Sequence, residues 1–284
     1  MCAEHERQRR YRRPAVEIVA LTEGEKTGAE ARHDGARIAH LVGVRGEAPS
    51  RGRHVWVGLD DHSLAPGESP ELLADVYAAA GTPWVESGYV THIVVVPAEG
   101  PLPALFFALG FGREQVHARA PVRPEAPGDP DGFEIRQAGP ADIERVLDLA
   151  GTISSHQTGA PVWAGLPVSQ REEMREGWEE LLADEGAVVL LAERGGESLG
   201  YVATYPADEP GLVHLPVAGT RADARGLGIG VGLVEHALHR AHQDGFRTVE
   251  LDWRSTNLLA SRFWPRRGFV VTHLRLRRDV QPPA

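Results

Sequence analysis

Apolar and polar residues recur with two different periods in the second half of the chain, and each period predicts one kind of element. Residues 248–253 alternate strictly, with Val249, Leu251 and Trp253 on one side, which is typical of a half-buried strand. Between 231 and 241 the apolar residues recur at helical spacing, and Gly245 follows as a natural helix end. Strands and helices therefore succeed one another in this half.

The same patterns along the whole chain predict a mixed α/β protein. The second half has predicted strands at 133–136, 187–192, 199–205, 212–220, 248–253 and up to about 276, and predicted helices at 140–149, 230–245 and 258–266. The first half has predicted strands at 16–21, 54–59 and 89–96 and a predicted helix at 70–80.

A proline-rich segment and a short internal echo suggest two related halves. Four prolines recur at every third residue in 121–132, which is typical of a polyproline II spacer. We therefore expect a first domain at 14–120 and a second at 133–280. Residues 105–111 and 263–269 both combine aromatic residues with a following Gly-Phe, which indicates a repeated α/β unit, with chance similarity as the alternative.

Composition narrows the class of protein. The 284 residues are 42% hydrophobic and 25% charged, which is typical of globular domains and too balanced for general disorder. No apolar run approaches the roughly 18 residues of a membrane helix, and the N-terminus is charged rather than apolar. Cys2 is the single cysteine, so no internal disulfide or thiolate metal cluster can form. We expect a cytoplasmic protein with no membrane partner.

Charge is distributed unevenly. Residues 1–13 carry five arginines and two glutamates, so this tail holds +3 and the remainder −13 of the net −10. The tail is predicted to be disordered and solvated; contact with nucleic acid or another protein is the alternative, and we do not expect a nucleic-acid partner. Lys26 is the only lysine, and Gly24-Glu25-Lys26-Thr27 lacks the spacing of a Walker-type phosphate loop.

The most informative motif is the turn Arg225-Gly226-Leu227-Gly228-Ile229-Gly230, between a predicted strand and a predicted helix. It fails the Gly-x-Gly-x-x-Gly pattern of dinucleotide sites in every register, because Val231, Leu233 or Glu235 stands at the last position. Glycine lets the backbone approach a ligand closely, and N–H groups at a helix N-terminus attract anions. The turn therefore predicts a diphosphate site, with a purely structural glycine turn as the alternative.

This turn matches the Arg/Gln-x-x-Gly-x-Gly/Ala signature of the GNAT superfamily of acyl-CoA-dependent N-acyltransferases. Residues 133–280 resemble that family in the order of elements, in Asn257 opening a helix, and in Gly268-Phe269 after it. The resemblance implies an α/β (α+β) fold of two GNAT-like domains, each a mixed, mostly antiparallel sheet flanked by helices. The first domain lacks the turn, so it is expected to be degenerate and to wall the acceptor cleft or stabilise the second.

The resemblance also implies acetyl-CoA as a co-substrate and no metal. Backbone N–H groups of the turn would cradle the pyrophosphate, and the strand ending at Thr220 would diverge from its neighbour, pair with pantetheine and help to stabilise an oxyanion. The residues expected to contact acetyl-CoA are Ala218, Gly219, Thr220, Arg225, Gly226, Leu227, Gly228, Ile229, Gly230, Val231, Asn257 and Trp264.

The catalytic residues are less clearly marked. Trp264 stands where many family members have a tyrosine acid, and Pro216 stands where they have a carboxylate base. Asp252 and His214 are the candidate bases, with Glu250 as a further one; a strand-end acid paired with an arginine, or a satisfied histidine, is the alternative for each. His156 is expected in a loop over the acceptor site, as a substrate-binding residue.

These observations favour an acetyl-CoA-dependent N-acetyltransferase of a small amine, acting by direct attack in the second domain. One alternative is a tandem thiol-sugar acetyltransferase similar to mycothiol synthase, whose cationic acceptor would suit the acidic body. Another is a non-catalytic, regulatory acyl-CoA-binding protein. The sequence leaves the acceptor and the oligomeric state open.

Overall fold

A computed structural model describes residues 16–49, 51–128, 131–163 and 170–281. The predicted basic tail, including Cys2, lies outside the described residues. The chain divides into two compact units: one holds the described residues up to Glu114 together with those from His273 onward, and the other is Gln115–Thr272.

The first unit is a mostly antiparallel sheet with two helices. Its strands follow the order β1-β2-β3-β4-β6-β13, β5 pairs with β3, and β4 and β6 form the one parallel pair of this described sheet. The elements are β1 (Val16–Glu23), β2 (Lys26–His33), β3 (Ala36–Ala48), β4 (Gly52–Val57), β5 (His62–Leu64), α1 (Pro70–Glu86), β6 (Thr91–Pro97), α2 (Leu102–Ala108) and the part of β13 (Val270–Asp279) from His273.

The second unit repeats this order of strands, as β8-β9-β10-β11-β12-β7. Here β11 and β12 form the parallel pair. The elements are β7 (Gly112–Pro121) from Gln115, β8 (Glu134–Gln137), α3 (Ile143–Thr158), α4 (Gln170–Ala183), β9 (Val188–Arg194), β10 (Glu197–Pro206), β11 (Leu212–Thr220), α5 (Ile229–Gln243), β12 (Thr248–Arg254) and α6 (Leu258–Arg266). The predicted α/β class, with mostly antiparallel sheets and flanking helices, is confirmed.

Helices cover both faces of the second sheet. On one face α3 and α4 pack on β9 and β10, where Trp178 meets Tyr201 edge-on with ring centroids 5.5 Å apart. On the other face α5 lies against Gly200: a Cβ there would meet Gly219 O at 2.8 Å and Ile229 Cγ2 at 3.1 Å. Gly200 therefore allows the first turn of α5 to lie directly on the sheet.

The compact units divide the chain differently from the predicted spans of 14–120 and 133–280, which stay a prediction. The strand from Gln115 to Pro121 pairs with β12 and so belongs to the second sheet, whereas the strand from His273 pairs with β6 and belongs to the first. The start of the predicted spacer also packs on the second unit. Arg123 N–H donates to Leu238 O, and its guanidinium pairs with Glu235.

The predicted echo has a structural counterpart in the two units. Gly110-Phe111 follows the end of helix α2, and Gly268-Phe269 follows the end of helix α6, with both glycines at positive φ. The N–H of each following phenylalanine returns to the helix, Phe111 N to Phe106 O and Phe269 N to Trp264 O. Both helices therefore end in the same left-handed glycine cap, which turns the chain into the next strand.

Candidate active site

The second unit contains a cleft of about 700 Å³. It is lined by the C-terminal part of β11, the glycine turn, the start of α5, the end of β12, helix α6 and the last turn of α3. Every lining residue belongs to Gln115–Thr272, so the site is built by one unit.

Divergence of two strands opens the cleft. The parallel pairing of β11 with β12 ends at Leu215 and Leu251, although β11 continues to Thr220 and β12 to Arg254. The residue that follows the last pair on β11 is Pro216, which has no N–H to give to a ladder. The separated ends line the cleft with backbone groups that an extended ligand can pair with.

The glycine turn leaves space for an anion. Gly226 and Gly228 both have φ of 82°, and a Cβ on either would meet no atom within 4 Å. Gly228 is the N-cap of α5 and provides no side-chain cap, so the first N–H groups of the helix face outward. Such a helix start binds phosphate groups. The residues present therefore fit the pyrophosphate of coenzyme A.

Almost all of the residues expected to contact acetyl-CoA line this cleft. The exception is Leu227, whose side chain is 48% exposed and lies outside the lining. The lining residues among them are Ala218, Gly219, Thr220, Arg225, Gly226, Gly228, Ile229, Gly230, Val231, Asn257 and Trp264. The structure thus brings the strand, turn and helix residues together around one space.

Asn257 and His156 meet at one end of the cleft. Asn257 Oδ1 caps α6 by accepting from Ala260 N–H at 3.2 Å, and His156 Nε2 lies 3.4 Å from the same oxygen. His156 belongs to the last turn of α3 and not to a loop, so the expectation of a loop position was wrong. The helix continues further than the apolar pattern indicated, since it ends only at Thr158.

Trp264 forms an apolar wall of the cleft. Its ring is 7% exposed and packs edge-on against Phe263 and Phe269, with centroid distances of 5.0 and 5.3 Å. The neighbouring Ser261 accepts a hydrogen bond from Trp253 Nε1 at 3.1 Å. The indole of Trp264 can donate a hydrogen bond but is not a useful acid.

The structure separates the candidate bases. Asp252 lines the cleft, whereas His214 lies outside the lining and packs on Tyr205 at a centroid distance of 5.3 Å. Glu250 is paired with Arg119 at 2.7 Å. Burial, and after it the Asp252 carboxylate, raises the pKa of Tyr205, so its hydroxyl stays protonated at neutral pH. Asp252 is thus the one of these three candidate bases that lines the cleft.

Sequence reasoning missed four polar residues of the cleft, Gln115, Gln157, Tyr201 and Arg254. Tyr201 is 1% exposed, its hydroxyl has no partner among the described residues, and burial raises its pKa well above the usual range. Gln115 comes from β7, which the sequence placed in the other domain, so no local signal marked it. Arg254 lies on the same strand face as Asp252, as the two-residue alternation of the sequence indicates.

Comparisons with known proteins identify the class of this site. Residues 154–269 match the Acetyltransferase (GNAT) family. The L-methionine sulfoximine/L-methionine sulfone acetyltransferase of Pseudomonas aeruginosa is 31% identical over 144 residues, which are 49% of this chain and 80% of that protein. The chain therefore belongs to the GNAT family of acetyltransferases, enzymes that use acetyl-CoA.

Longer matches extend across both units. The mycothiol acetyltransferase of Cellulomonas flavigena is 27% identical over 249 residues, which are 83% of this chain and 59% of that protein. A GCN5-related N-acetyltransferase from Sphaerobacter thermophilus superposes with a TM-score of 0.63 at 17% identity, over 99% of this chain and 86% of that one. A tandem GNAT protein from the clavulanic acid biosynthesis pathway gives 0.55, also at 17% identity, over 97% and 86%. At such identity the structures show the shared fold.

The described residues contain neither a helix fit to cross a membrane nor a cluster fit to hold a metal ion. None of the helices in those ranges combines the length and the apolar character that crossing a membrane requires. Across the same part of the chain, no cluster of three or more His, Cys, Asp or Glu side chains has the arrangement of a metal site.

Proposed function

We propose that the chain is an acetyl-CoA-dependent N-acetyltransferase that acts on a small amine by direct attack, with its active site in the cleft of the second unit. The observation that carries the proposal is the combination of two diverging strands with an uncapped glycine turn in one cleft. Acetyl-CoA supplies the acetyl group as a thioester, and its thiol should resemble a cysteine thiol, whose pKa is about 8.5, so that it leaves readily.

The backbone of this chain does most of the binding. The N–H groups at the start of α5 hold the pyrophosphate, and the guanidinium of Arg225 adds charge beside it. The unpaired edge of β11 from Val217 to Thr220 orients the extended arm, and a backbone N–H there stabilises negative charge on the acetyl oxygen. Trp264 excludes water from one side.

The proton of the amine is taken by Asp252, directly or through one water. Its carboxylate lines the cleft beside the diverging end of β11 and is not paired with a cation among the described residues. His156 and Gln157 line the cleft from the last turn of α3. The acceptor enters on this side, between α3, α6 and the sheet.

Two acceptor classes follow from the relatives. The L-methionine sulfoximine/L-methionine sulfone acetyltransferase of Pseudomonas aeruginosa aligns with 49% of this chain, which favours an amino-acid acceptor for the second unit. The match with mycothiol acetyltransferase covers most of the chain and keeps a thiol-sugar acceptor as the second candidate. We place the reaction in the cytoplasm, and regulatory acyl-CoA binding without turnover is the remaining alternative.

Thiol release from acetyl-CoA by the full chain tests the proposal. A panel of amino acids, L-methionine sulfone, amino sugars and simple amines is supplied as acceptors, and each product is checked by mass for one added acetyl group. Turnover that Asp252→Asn lowers while acetyl-CoA binding persists supports the proposal. Acetyl-CoA binding without turnover of any amine would leave the regulatory alternative.

A further inference from the structure

We propose that the acceptor is a zwitterion, an α-amino acid or a close analogue, whose carboxylate is bound by Arg254 while its amine faces Asp252. The inference rests on the proposed function and deepens it, because it assigns an anion-binding residue to the acceptor end of the same cleft.

Asp252 and Arg254 are placed to hold opposite charges. They are two residues apart on β12, so their side chains leave the same face of the sheet with Cα atoms roughly 6.5–7 Å apart. Both line the cleft. The rise of the strand and the longer side chain of arginine let one small molecule carry an ammonium to Asp252 and a carboxylate to Arg254.

Neither charge is neutralised by a partner within the described ranges. Two residues earlier on the same face, Glu250 is held by Arg119 at 2.7 Å, and Arg119 also binds Glu209 at 2.8 Å. On this strand Glu250, outside the cleft, is paired, whereas Asp252 and Arg254, which line the cleft, have no ion pair among the described residues. A ligand that carries both an ammonium and a carboxylate would form an ion pair with each of these two residues.

Gln115 adds a polar group at the same place. It lies directly opposite Arg254 in the antiparallel pair of β7 and β12, so the two side chains share one face. Its Oε1 is buried and has no hydrogen-bond partner in the described part of the chain. An ammonium between Gln115 and Asp252 would give that oxygen a donor.

The guanidinium also disfavours other acceptors. A simple amine brings a second cation close to Arg254; Asp252 can offset one of the two positive charges, and the amine has no carboxylate to offset the other. A carboxylate next to the amine removes this repulsion, and the planar guanidinium binds it with two parallel hydrogen bonds. The pair therefore provides attraction for one class of acceptor and rejection of another.

Matched acceptors test the inference in the full-length protein. L-methionine sulfone and 3-(methylsulfonyl)propylamine differ only in the carboxylate, and other amino acids can be paired with their decarboxylated amines in the same way. We expect kcat/KM to favour the amino acid of each pair. In Arg254→Gln, the ratio of kcat/KM for amino acid over amine should fall roughly 10- to 100-fold, with the KM for acetyl-CoA unchanged. Arg254→Lys should recover part of the ratio.

Arg262→Gln serves as the matched control, because Arg262 is an exposed arginine of α6 outside the cleft lining, and it should leave the ratio unchanged. Turnover with no preference for the carboxylate, an equal loss for both members of a pair, or a loss of acetyl-CoA affinity in Arg254→Gln would overturn the inference and leave the acetyltransferase activity standing. Failure of every amine to be acetylated would overturn the proposed function and this inference together.

Discussion

The two units repeat one order of strands, but they differ at the end of their parallel strand pair. Of the described sheets, the second has a cleft between the two strands there, and the first does not. In the first unit β4 stops where its pairing with β6 stops, at Val57 and Val94. In the second, β11 runs five residues beyond its last pair. The comparison shows that the cleft depends on a strand that continues after it has left its neighbour.

A buried histidine fills the matching place in the first unit. The residue after the last pair on β6 is Val95, and the equivalent on β12 is Asp252. His62 of β5, 8% exposed, hydrogen-bonds with the carbonyl oxygen of Val95 at 2.8 Å. Burial lowers the pKa of His62, so its ring is neutral and closes the gap as part of the core.

The helix that follows also differs. Helix α1 begins with Pro70, which has no N–H, and Ser69 Oγ accepts from Glu71 N–H at 3.4 Å. Helix α5 begins after Gly228 with no side-chain cap. The first unit thus satisfies its helix start internally and adds a carboxylate there, whereas the second leaves the N–H groups for an anion.

The largest effect is expected from a side chain on the glycine turn. Gly228→Val adds bulk where the backbone approaches the ligand and strains a residue at positive φ, so acetyl-CoA binding should be abolished. Arg225→Ala keeps every N–H and should weaken binding about tenfold, or about 1.4 kcal/mol. Equilibrium dialysis with labelled acetyl-CoA measures both.

Gly67→Val, in the first unit, is the matched control for Gly228→Val. Gly67 has φ of 84° and, like Gly228, would place a Cβ with no atom within 4 Å. It shares the backbone strain but lies in the first unit, so binding should persist. Normal binding by Gly228→Val with loss in Arg225→Ala would instead show a side-chain clamp.

The next largest effect is expected at Asp252, which occupies the position on β12 that Val95 occupies on β6. Asp252→Asn should lower kcat on the order of 100-fold, because the amine loses its proton acceptor while the backbone cradle is intact. The acceptor assay at several pH values, with acetyl-CoA affinity as the control, measures this. An unchanged kcat would remove Asp252 from the reaction.

Opening the first unit should cost stability without creating a second site. His62→Ala removes a buried ring and leaves the Val95 carbonyl unpaired, which should cost about 2–4 kcal/mol of unfolding free energy. In the natural chain the lowered pKa of His62 means that its stabilisation is complete above about pH 6.5 and is lost as pH falls toward its folded pKa. Denaturant unfolding at pH 7 and pH 5 should show a smaller pH dependence in the variant. A gain of acetyl-CoA binding would contradict the comparison.

The smallest effect is expected where the second unit has helices α3 and α4 between β8 and β9, because in the first unit β2 follows β1 directly. Asp142 stands just before α3, where two hydrogen bonds from the Arg136 guanidinium, and after them one from Gly139 N–H, lower its pKa to about 2. That carboxylate stabilises the fold above its unfolded pKa of about 3.9, and the effect is lost as the pH falls through its folded pKa of about 2. Asp142→Asn should cost about 2 kcal/mol at neutral pH and remove this acid dependence. Urea unfolding midpoints of the natural protein and of Asp142→Asn at pH 7 and pH 3 measure this effect. An equal change of midpoint between the two pH values in both proteins would count against the assignment.

The local patterns predicted most elements of the second unit and its glycine turn, because alternation, helical spacing and glycine placement are properties of neighbouring residues. They missed helix α4, whose residues 170–183 are mostly polar. They did not predict that the strand from Gln115 belongs to the second sheet, since strand pairing over a distance of more than a hundred residues has no local signature. For the same reason Gln115 was missed as a cleft residue, and the place of His214 against Tyr205 depended on a bulge between β10 and β11.

Calorimetric titration of the full-length chain with acetyl-CoA tests the central difference between the units most directly. One open cleft and one closed equivalent predict one molecule of acetyl-CoA bound per chain, with no binding to Gly228→Val and one molecule bound to Gly67→Val. Two molecules per chain, or one molecule still bound to Gly228→Val, would contradict the account.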